Sequence, residues 1–206
     1  MNNERSYPSS LLKESVEALC SLPGVGERTA LGYSLFLLQR PVEVSRRLAE
    51  GLLRLREGVR FCSRCGGLTD GGELCGVCSN VRRRQGLVTV VENIQMQMAL
   101  EGTGQYDGVY HVLGGLISPM AGVGPSDLRI ESLVARVESG GVDEVCLALS
   151  PTMEGDMTGL FIGKRLKASG VKVTRIARGV VPGEGLLFQD GMTLARSIEE
   201  RTLFSL

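Results

Sequence analysis

Four of the six cysteines in this 206-residue chain fall in two close pairs, and they constrain the fold more than any other feature. Cys62 pairs with Cys65 and Cys75 with Cys78, each across two residues, and nine residues separate the pairs. A tetrahedral Zn²⁺ prefers soft thiolates, and a two-residue spacer lets one turn aim both sulfurs of a pair at the same ion. A glycine-rich segment this short cannot form a stable core of its own without a metal ion or disulfides to hold it together. The spacing therefore predicts one zinc ion held by these four cysteines.

Two disulfides or four free thiols are the alternative interpretations of this cluster. Residues 1–10 are polar, and no apolar run of the kind that a signal peptide needs follows them. We therefore expect a cytoplasmic protein, and the reducing conditions of the cytoplasm disfavour disulfides. Because four cysteines fill all four positions around Zn²⁺, the predicted site is structural rather than catalytic. Cys20 and Cys146 lie in apolar stretches and are expected to be ordinary buried cysteines.

The formal net charge of zero conceals an asymmetry along the chain. Residues 1–84 carry 13 Lys and Arg against 9 Asp and Glu, a net +4, whereas residues 85–206 carry 10 against 14, a net −4. A basic half is typical of a surface that faces a polyanion, although a solvated surface explains four charges equally well. The most apolar long stretch, 108–125, is broken by polar residues and glycines and falls short of the roughly 20 residues of a membrane span. No membrane attachment is expected.

The first third of the chain predicts three helices. The first is expected to be capped by Ser10 and to run to about Ser21, before Pro23. The second is predicted over 27–38 and the third over 42–60, where apolar residues repeat every three or four positions. The short connection between the first two helices gives the arrangement helix, hairpin, helix.

The connection between the first two predicted helices is a candidate phosphate-binding turn. Gly24 and Gly26 place backbone without side chains beside the positive end of a helix, and Arg28 could add a charged hydrogen bond. Such contacts position nucleic acid without reading its sequence. The alternative is a plain turn between helices, because glycine and proline mark many turns. Nearby arginines favour nucleic acid, since each neutralised phosphate releases counterions. They are Arg46, Arg47, Arg54, Arg56, Arg60, Arg64, Arg82, Arg83 and Arg84.

Beyond Arg84 the predicted strands and helices alternate. Strands are predicted over 86–91, 109–113, 144–149 and 171–177, with helices over 93–102, 127–138 and 155–168. Repeated β–α units are typical of a largely parallel sheet covered by helices. The predicted fold class is therefore mixed, α+β and α/β. It comprises a helical region over 1–60, a four-cysteine zinc module over 61–84, an α/β sheet domain over 85–178 and a short carboxyl-terminal segment over 179–206.

Three acidic residues follow predicted strands. Glu92 comes directly after the strand over 86–91, and Glu154 and Asp156 follow the strand over 144–149. Open α/β sheets place their sites at the carboxyl ends of strands, where three carboxylates could hold Mg²⁺. The alternative is that Glu154 and Asp156 favour the dipole of the next helix, which needs no metal. His111, the only histidine, lies in an apolar strand and is predicted to be a core residue.

Several motifs together resemble the RecR family of bacterial recombination mediators, over about residues 11–201. The segment Leu22-Pro23-Gly24-Val25-Gly26 is similar to the helix-hairpin-helix motif of that family. The module that ends Cys75-Gly76-Val77-Cys78-Ser79-Asn80 is similar to its zinc finger. Val90-Val91-Glu92 and the segment 150–156 resemble the two acidic signatures of its Toprim domain, and the segments 175–179 and 190–194 resemble its carboxyl-terminal region.

This resemblance implies a non-enzymatic mediator that binds DNA and forms a ring-like homo-oligomer, expected to be a tetramer. It implies action with the RecO and RecF proteins to load RecA at single-stranded gaps. It also implies that Arg28 contacts DNA and that Glu92, Glu154 and Asp156 occupy the Toprim acidic positions. The sequence departs from the family at Gly32, where many relatives carry a second basic residue, and in the loop over 181–185.

Two other classes of function stay open on the sequence alone. A Toprim enzyme, such as a nuclease, primase or topoisomerase-like protein, would use the three acidic residues with a metal ion. A zinc-built interaction module would make no DNA contact. Against the enzyme, no tyrosine stands in a context that marks a strand-cleaving nucleophile; the tyrosines are Tyr7, Tyr33, Tyr106 and Tyr110.

Overall fold

The structure, a computed structural model, describes residues 7–177, 179, 187 and 190–199. The chain divides into two compact units, Met1–Val59 and Arg60–Leu206. The first, called the helical unit here, contains three helices, and the second, called the sheet unit, contains the four-stranded sheet and the four-cysteine cluster. No helix in the described part of the chain is long and apolar enough to cross a membrane.

The helical unit consists of α1 (Ser10–Cys20), α2 (Glu27–Leu38) and α3 (Val42–Gly58), as the apolar periodicity predicts. The prediction that Ser10 caps α1 is wrong. Ser9 is the N-cap, because its backbone is extended while its carbonyl already accepts a hydrogen bond from Lys13 N at 3.2 Å. Ser10 is thus the first residue inside the helix.

Packing within the helical unit is closest at the seam between α1 and α2. Val16 and Ala30 are buried there, and Ser34 is buried with its hydroxyl 2.9 Å from that of Ser15. No residue of α3 is buried. The apolar stripe of α3 is about half exposed, with Leu48 at 49% and Leu52 at 59% of their maximal surface. The periodicity correctly predicts a helix here, but its apolar face is only partly covered within the described chain.

The sheet unit begins with a pair of short strands that the sequence pattern did not predict. β1 (Val59–Phe61) and β2 (Leu68–Asp70) form a two-stranded sheet on either side of the first cysteine pair. Both strands have three residues, too few for a period-two pattern to stand out.

The main sheet contains four parallel strands, which confirms the predicted parallel architecture. They are β3 (Arg84–Val91), β4 (Gly108–Val112), β5 (Glu144–Ala148) and β6 (Lys172–Arg175), in the spatial order β4-β3-β5-β6. The strand β3 is therefore central, and the chain order reverses beside it. Glu92 follows β3 directly, so it lies at the carboxyl edge of this sheet.

Helices cover both faces of the main sheet. On one face, α5 (Ile130–Glu138) and α6 (Met153–Leu166) pack against Val88 and Val90. On the other face, α4 (Ile94–Gly102) packs against Val91 and Tyr110. Burial of His111 confirms the prediction that it is a core residue. Cys20 and Cys146 are half-buried, so the prediction that they are ordinary buried cysteines holds only in part.

The predicted helix over 127–138 begins later than the apolar pattern suggests. Pro125–Asp127 forms a short 3-10 turn, and Leu128 then adopts an extended backbone before α5 begins at Ile130. Asp127 is held in this turn, because its carboxylate accepts a hydrogen bond from Gly124 N at 2.8 Å. A further helix, α7 (Gly191–Glu199), follows Asp190, whose carboxylate accepts from Thr193 N at 2.9 Å. The predicted carboxyl-terminal segment over 179–206, including its loop over 181–185, lies largely outside the described residues.

Candidate zinc centre and nucleic-acid interface

The four cysteines predicted to bind zinc come together in the folded chain. Their Sγ atoms all lie within 4.8 Å of one another, every one of the four side chains is buried, and none is in a disulfide. The Sγ atoms of Cys65 and Cys75 are 3.6 Å apart. Two sulfurs bound to the same tetrahedral Zn²⁺ at about 2.3 Å lie about 3.8 Å apart. The cluster therefore has the size of a tetrathiolate zinc site.

The electrostatic interactions among the four cysteines favour a bound cation. Hydrogen bonding from the Cys78 thiol, against the opposing effect of burial, lowers the pKa of Cys65 to about 5. The same bond to Cys65, together with burial, raises the pKa of Cys78. One thiolate thus suppresses ionisation of its neighbours, and a divalent cation removes that repulsion and lets all four thiols ionise. The clustered cysteines thereby indicate a zinc site.

Backbone geometry around the cysteines is that of two tight turns. Gly67 N donates to the sulfur of Cys65 at 3.2 Å, and Cys78 N donates to the sulfur of Cys75 at 3.5 Å. Gly66 adopts a φ of +73°, which strains any residue with a side chain. Amide donors of this kind stabilise thiolate charge and orient the sulfurs toward one point.

The module that carries the cysteines, residues 61–84, is packed onto the main sheet. Val112 N in β4 donates to Cys65 O at 2.7 Å, and Arg129 Nη2 donates to Ser63 O at 3.3 Å. Val77 contacts the cysteine cluster as well as the apolar cores on both faces of the sheet. The zinc module and the α/β sheet consequently form one compact unit.

The predicted phosphate-binding turn has the open geometry that such a role needs. Gly24 adopts a φ of +78°, and a Cβ added at Gly24 or Gly26 would meet no atom within 4 Å. Gly26 is the N-cap of α2 and supplies no side chain to its first amides. Arg28 is exposed and forms no ion pair among the residues that the structure describes. The first turn of α2 therefore presents amide donors and one guanidinium to solvent.

The arginines predicted to contact nucleic acid differ in their surroundings. Arg46 and Arg47 are exposed on α3 and form no ion pair within the described part of the chain. Arg83, by contrast, is paired with Glu101 and donates to Tyr106 O at 2.7 Å. Arg84 lies 3.9 Å from Asp107. Two residues of the Arg82-Arg83-Arg84 run are therefore already paired with carboxylates.

The three acidic residues at the strand ends do not assemble into one metal site. In the described ranges, the four cysteines are the only group of three or more His, Cys, Asp or Glu side chains whose ligand atoms meet closely enough for one ion. Both carboxylate oxygens of Glu92 accept hydrogen bonds from Ser150, one from its amide at 3.1 Å and one from its hydroxyl at 2.9 Å. Glu92 therefore holds the loop that follows β5.

Glu154 and Asp156 occupy the first turn of α6, where acidic side chains favour the helix dipole. Thr152 caps this helix by accepting from Gly155 N at 3.2 Å. A Cβ on Gly155 would lie 2.0 Å from Ser150 O, so this position packs directly on the loop that Glu92 holds. The alternative interpretation of Glu154 and Asp156 as helix-terminal residues thus fits their positions.

The sequence did not predict the roles of three residues around these sites. Ser150, 58 positions from Glu92, carried no signal because its role depends on the pairing of β3 with β5. Arg129, the N-cap of α5, and Arg136, in its last turn, both approach the zinc module. Arg136 had a signal, because it falls three residues after Leu133 in a helix whose neighbouring positions are buried.

Together, the fold and the cysteine cluster define a zinc-finger protein that combines a helical hairpin with a parallel α/β sheet. Residues 12–55 match the family model described as RecR, helix-hairpin-helix, and residues 59–80 match that of the RecR four-cysteine zinc finger domain. Residues 86–177 match the Toprim domain. The chain belongs to the RecR family.

Relatives in this family cover nearly the whole chain. The chain is 52% identical over 204 residues to the recombination protein RecR of Parabacteroides distasonis, covering 99% of this chain and 97% of that protein. It is 50% identical over 201 residues to that of Porphyromonas gingivalis, covering 98% and 97%. With that of Flavobacterium psychrophilum the identity is 48% over 198 residues, or 96% of each chain.

Proposed function

We propose that this protein is a non-enzymatic, DNA-binding recombination mediator that acts in DNA repair. The observation that carries the proposal is the exposed turn at the start of α2 in a chain of the RecR family. This turn has open glycine backbone, and Arg28 on it forms no ion pair with any described residue. Its relatives are named as recombination proteins, which supports a role in DNA recombination.

The proposed DNA contact is made with phosphates rather than bases. Gly24 and Gly26 allow a phosphate oxygen to approach the first amides of α2, and Arg28 adds a charged donor beside them. On α3, Arg46 and Arg47 are exposed and available to further phosphates. Contacts of this kind bind any sequence and weaken as salt increases, because they depend on counterion release. Gly32 is exposed and contributes no charge, so neighbouring arginines carry the basic character.

The proposed assembly is a homo-oligomer, with the ring-like tetramer that the family resemblance implies. Support comes from the helical unit, where apolar side chains border a groove of about 790 Å³ between the ends of α1 and α2. Leu38 is 71% exposed at this groove, and the apolar stripe of α3 is about half exposed. Apolar surface of this extent is typical of a face that another chain covers.

The proposed partners follow from the family. We propose that the protein acts with RecO and RecF to load RecA at single-stranded gaps, and that it works in the cytoplasm, where the chromosome is repaired. We also propose that the chain is divided into four segments, 1–60, 61–84, 85–178 and 179–206. The last segment is proposed to serve oligomerisation.

The proposal that the protein is not an enzyme rests on the acidic residues. Glu92 is engaged with Ser150, while Glu154 and Asp156 lie in the first turn of α6. A two-metal or one-metal phosphoryl-transfer site needs carboxylates that converge on the same ion. Mg²⁺ is therefore not part of the proposed mechanism. Zn²⁺ is proposed to be structural, because four thiolates leave no position for water.

The decisive experiment incubates the purified full-length protein with end-labelled single-stranded and duplex DNA, with and without Mg²⁺. Matched samples are resolved on native and denaturing gels. We expect a salt-sensitive shift on the native gel and intact strands on the denaturing gel.

Nicking that requires Mg²⁺ and disappears in a Glu92→Gln variant would overturn the non-enzymatic proposal. Gln keeps an oxygen that accepts from the Ser150 hydroxyl, so this variant removes charge with little change to the loop. An absence of any shift, even for single-stranded DNA at low salt, would count against direct DNA binding by the protein alone.

A further inference from the structure

The strand β4 forms one end of the main sheet, so the backbone groups on its outer side have no neighbouring strand within the described residues. An open edge of this kind is a template for pairing with other chains. Here two groups on the outer side are occupied. Val112 N donates to Cys65 O at 2.7 Å, and Tyr110 O accepts from Arg136 Nη1 at 2.8 Å. Alternate residues direct their backbone groups to the same side of a strand, so both bonds cover the free edge.

Arg129 connects the same edge to the first cysteine turn. Its backbone is anchored to the strand end, because its N donates to Leu113 O at 3.0 Å and its O lies 2.8 Å from His111 Nε2. Its side chain donates from Nη2 to Ser63 O at 3.3 Å and passes over Gly66. A Cβ at Gly66 would lie 2.7 Å from Arg129 Nε. The close approach of this guanidinium therefore needs a glycine beside Cys65.

The charges of Arg129 and Arg136 are matched by no carboxylate in the described part of the chain, since neither forms an ion pair within 4.0 Å. Arg129 Nε is buried without a hydrogen-bond partner. Arg136 lines one cleft together with Ser63 and Arg64 of the cysteine module. Four thiolates carry more negative charge than one Zn²⁺ cancels. Both guanidiniums reach the cysteine module, where a positive charge would offset the excess charge of metal-bound thiolates.

We propose that Arg129 and Arg136 are positioning residues of the zinc site, which fasten the cysteine module over the free edge of β4 and balance the charge of its thiolates. If so, the zinc site keeps its metal only while the cysteine module covers the free edge of β4, and the module covers that edge only while the metal is bound. The inference rests on the zinc site and not on DNA binding, so its failure would leave the proposed role in recombination standing.

The first test measures how fast zinc leaves the full-length, zinc-loaded protein for a chromogenic chelator at neutral pH. Arg136→Met and Arg129→Met keep an apolar stem but remove the charge and the donors. Loss of a residue that supports metal ligands typically lowers metal affinity about 10–100-fold, so we expect release to accelerate by about tenfold or more. Arg165→Met is the matched control, because Arg165 pairs with Glu131 at the surface of the same unit.

A variant with the charge restored separates electrostatics from packing. Arg136→Lys keeps a positive charge and one donor, and we expect its zinc release to fall between those of Arg136→Met and the unchanged protein. Release from both Met variants at the rate of the Arg165→Met control would overturn the proposal.

The second test needs no substitution and so remains informative if a Met variant fails to fold. Zinc is removed from the unchanged protein by the chelator, and amide hydrogen exchange is measured residue by residue. We expect exchange at Val112 to accelerate more than exchange at Val90, which lies in the central strand β3. Unchanged protection at Val112 after complete zinc removal would overturn the proposed coupling.

Discussion

The helical unit and the sheet unit bury very different parts of their apolar surface. Among the described residues of the helical unit, only Val16, Ala30 and Ser34 are buried. In the sheet unit, by contrast, the strands of the main sheet are packed between helices on both faces, around residues such as Leu133 and Ile162. The sheet unit has a core of its own, whereas most of the apolar surface of the helical unit is open.

This contrast shows that strong local patterns and a complete core are separate properties. Helix α2 has the same bounds as its periodicity predicts, yet Phe36 and Leu38 on it remain exposed. Isolated helices of this length gain most of their stability from packing. We infer that the helical unit depends on a further surface, proposed above to be another copy of the chain, while the sheet unit depends on its own core and on zinc.

Removal of a zinc ligand should give the largest effect, and it should fall on the sheet unit. We expect Cys62→Ser to leave zinc substoichiometric and to lower the free energy of unfolding by more than about 5 kcal/mol, because metal binding is coupled to folding. Zinc content and thermal melting measure this. The control is Cys146→Ser, a half-buried cysteine outside the cluster. Full zinc content with normal melting in Cys62→Ser would refute the structural site.

A matched pair of leucine truncations tests the contrast in burial directly. Leu133→Ala, at a fully buried position, should lower the free energy of unfolding by about 4 kcal/mol. Leu52→Ala, on the open stripe of α3, should cost less than about 1 kcal/mol in dilute protein. Its effect should grow with protein concentration if this stripe lies in an oligomer interface. Denaturant titrations at two protein concentrations measure both. If both variants lose the same free energy of unfolding at both protein concentrations, α3 is buried within a single chain.

Acid should destabilise the sheet unit through its buried histidine. Burial lowers the pKa of His111 from 6.5 to about 4, so between these values the unfolded chain binds a proton that the folded chain does not. This contribution to stability is fully present above pH 6.5 and is lost as the pH falls toward 4, by up to about 3 kcal/mol.

The pH dependence is measured as the difference between the unchanged protein and His111→Gln across pH 7 to about 4, with zinc saturating. Gln retains a polar group near Arg129 O but does not titrate. Protonation of the thiolates is common to both proteins and cancels in the difference. Superimposable stability profiles would show that His111 does not contribute.

The smallest effect should fall on DNA binding by the helical unit. Arg28→Ala should weaken DNA binding. The slope of log binding constant against log salt concentration should become shallower by about 0.7 to 0.9, the value for one phosphate contact. Stability should hardly change, because Arg28 is exposed and has no ion pair among the described residues. Arg165→Ala removes one exposed arginine from the sheet unit and should leave the slope unchanged. An unchanged slope in Arg28→Ala would exclude it from the interface.

Much of this fold could be predicted because its signals are local. The spacing of Cys62, Cys65, Cys75 and Cys78 requires only short turns, and their sulfurs do converge. The alternation of apolar strands and helices likewise predicts the parallel sheet. Boundaries failed where a polar side chain redirected the backbone, as Asp127 does before α5. The extent of burial of single residues was predicted only in part, as Cys146 shows, because an apolar stretch does not reveal how completely its neighbours will cover it.

The sequence by itself determined the cysteine cluster, the hairpin and the α/β alternation, since each depends on residues close together in the chain. Tertiary structure alone decided the order of the strands and the partners of polar groups. The sequence marks Glu92 as a candidate metal ligand, but only the pairing of β3 with β5 brings Ser150 to its carboxylate. In the same way, Arg136 reaches the edge of β4 only because α5 packs on that side of the sheet. Such contacts join distant segments, and their energies depend on a geometry that exists only after the chain has folded.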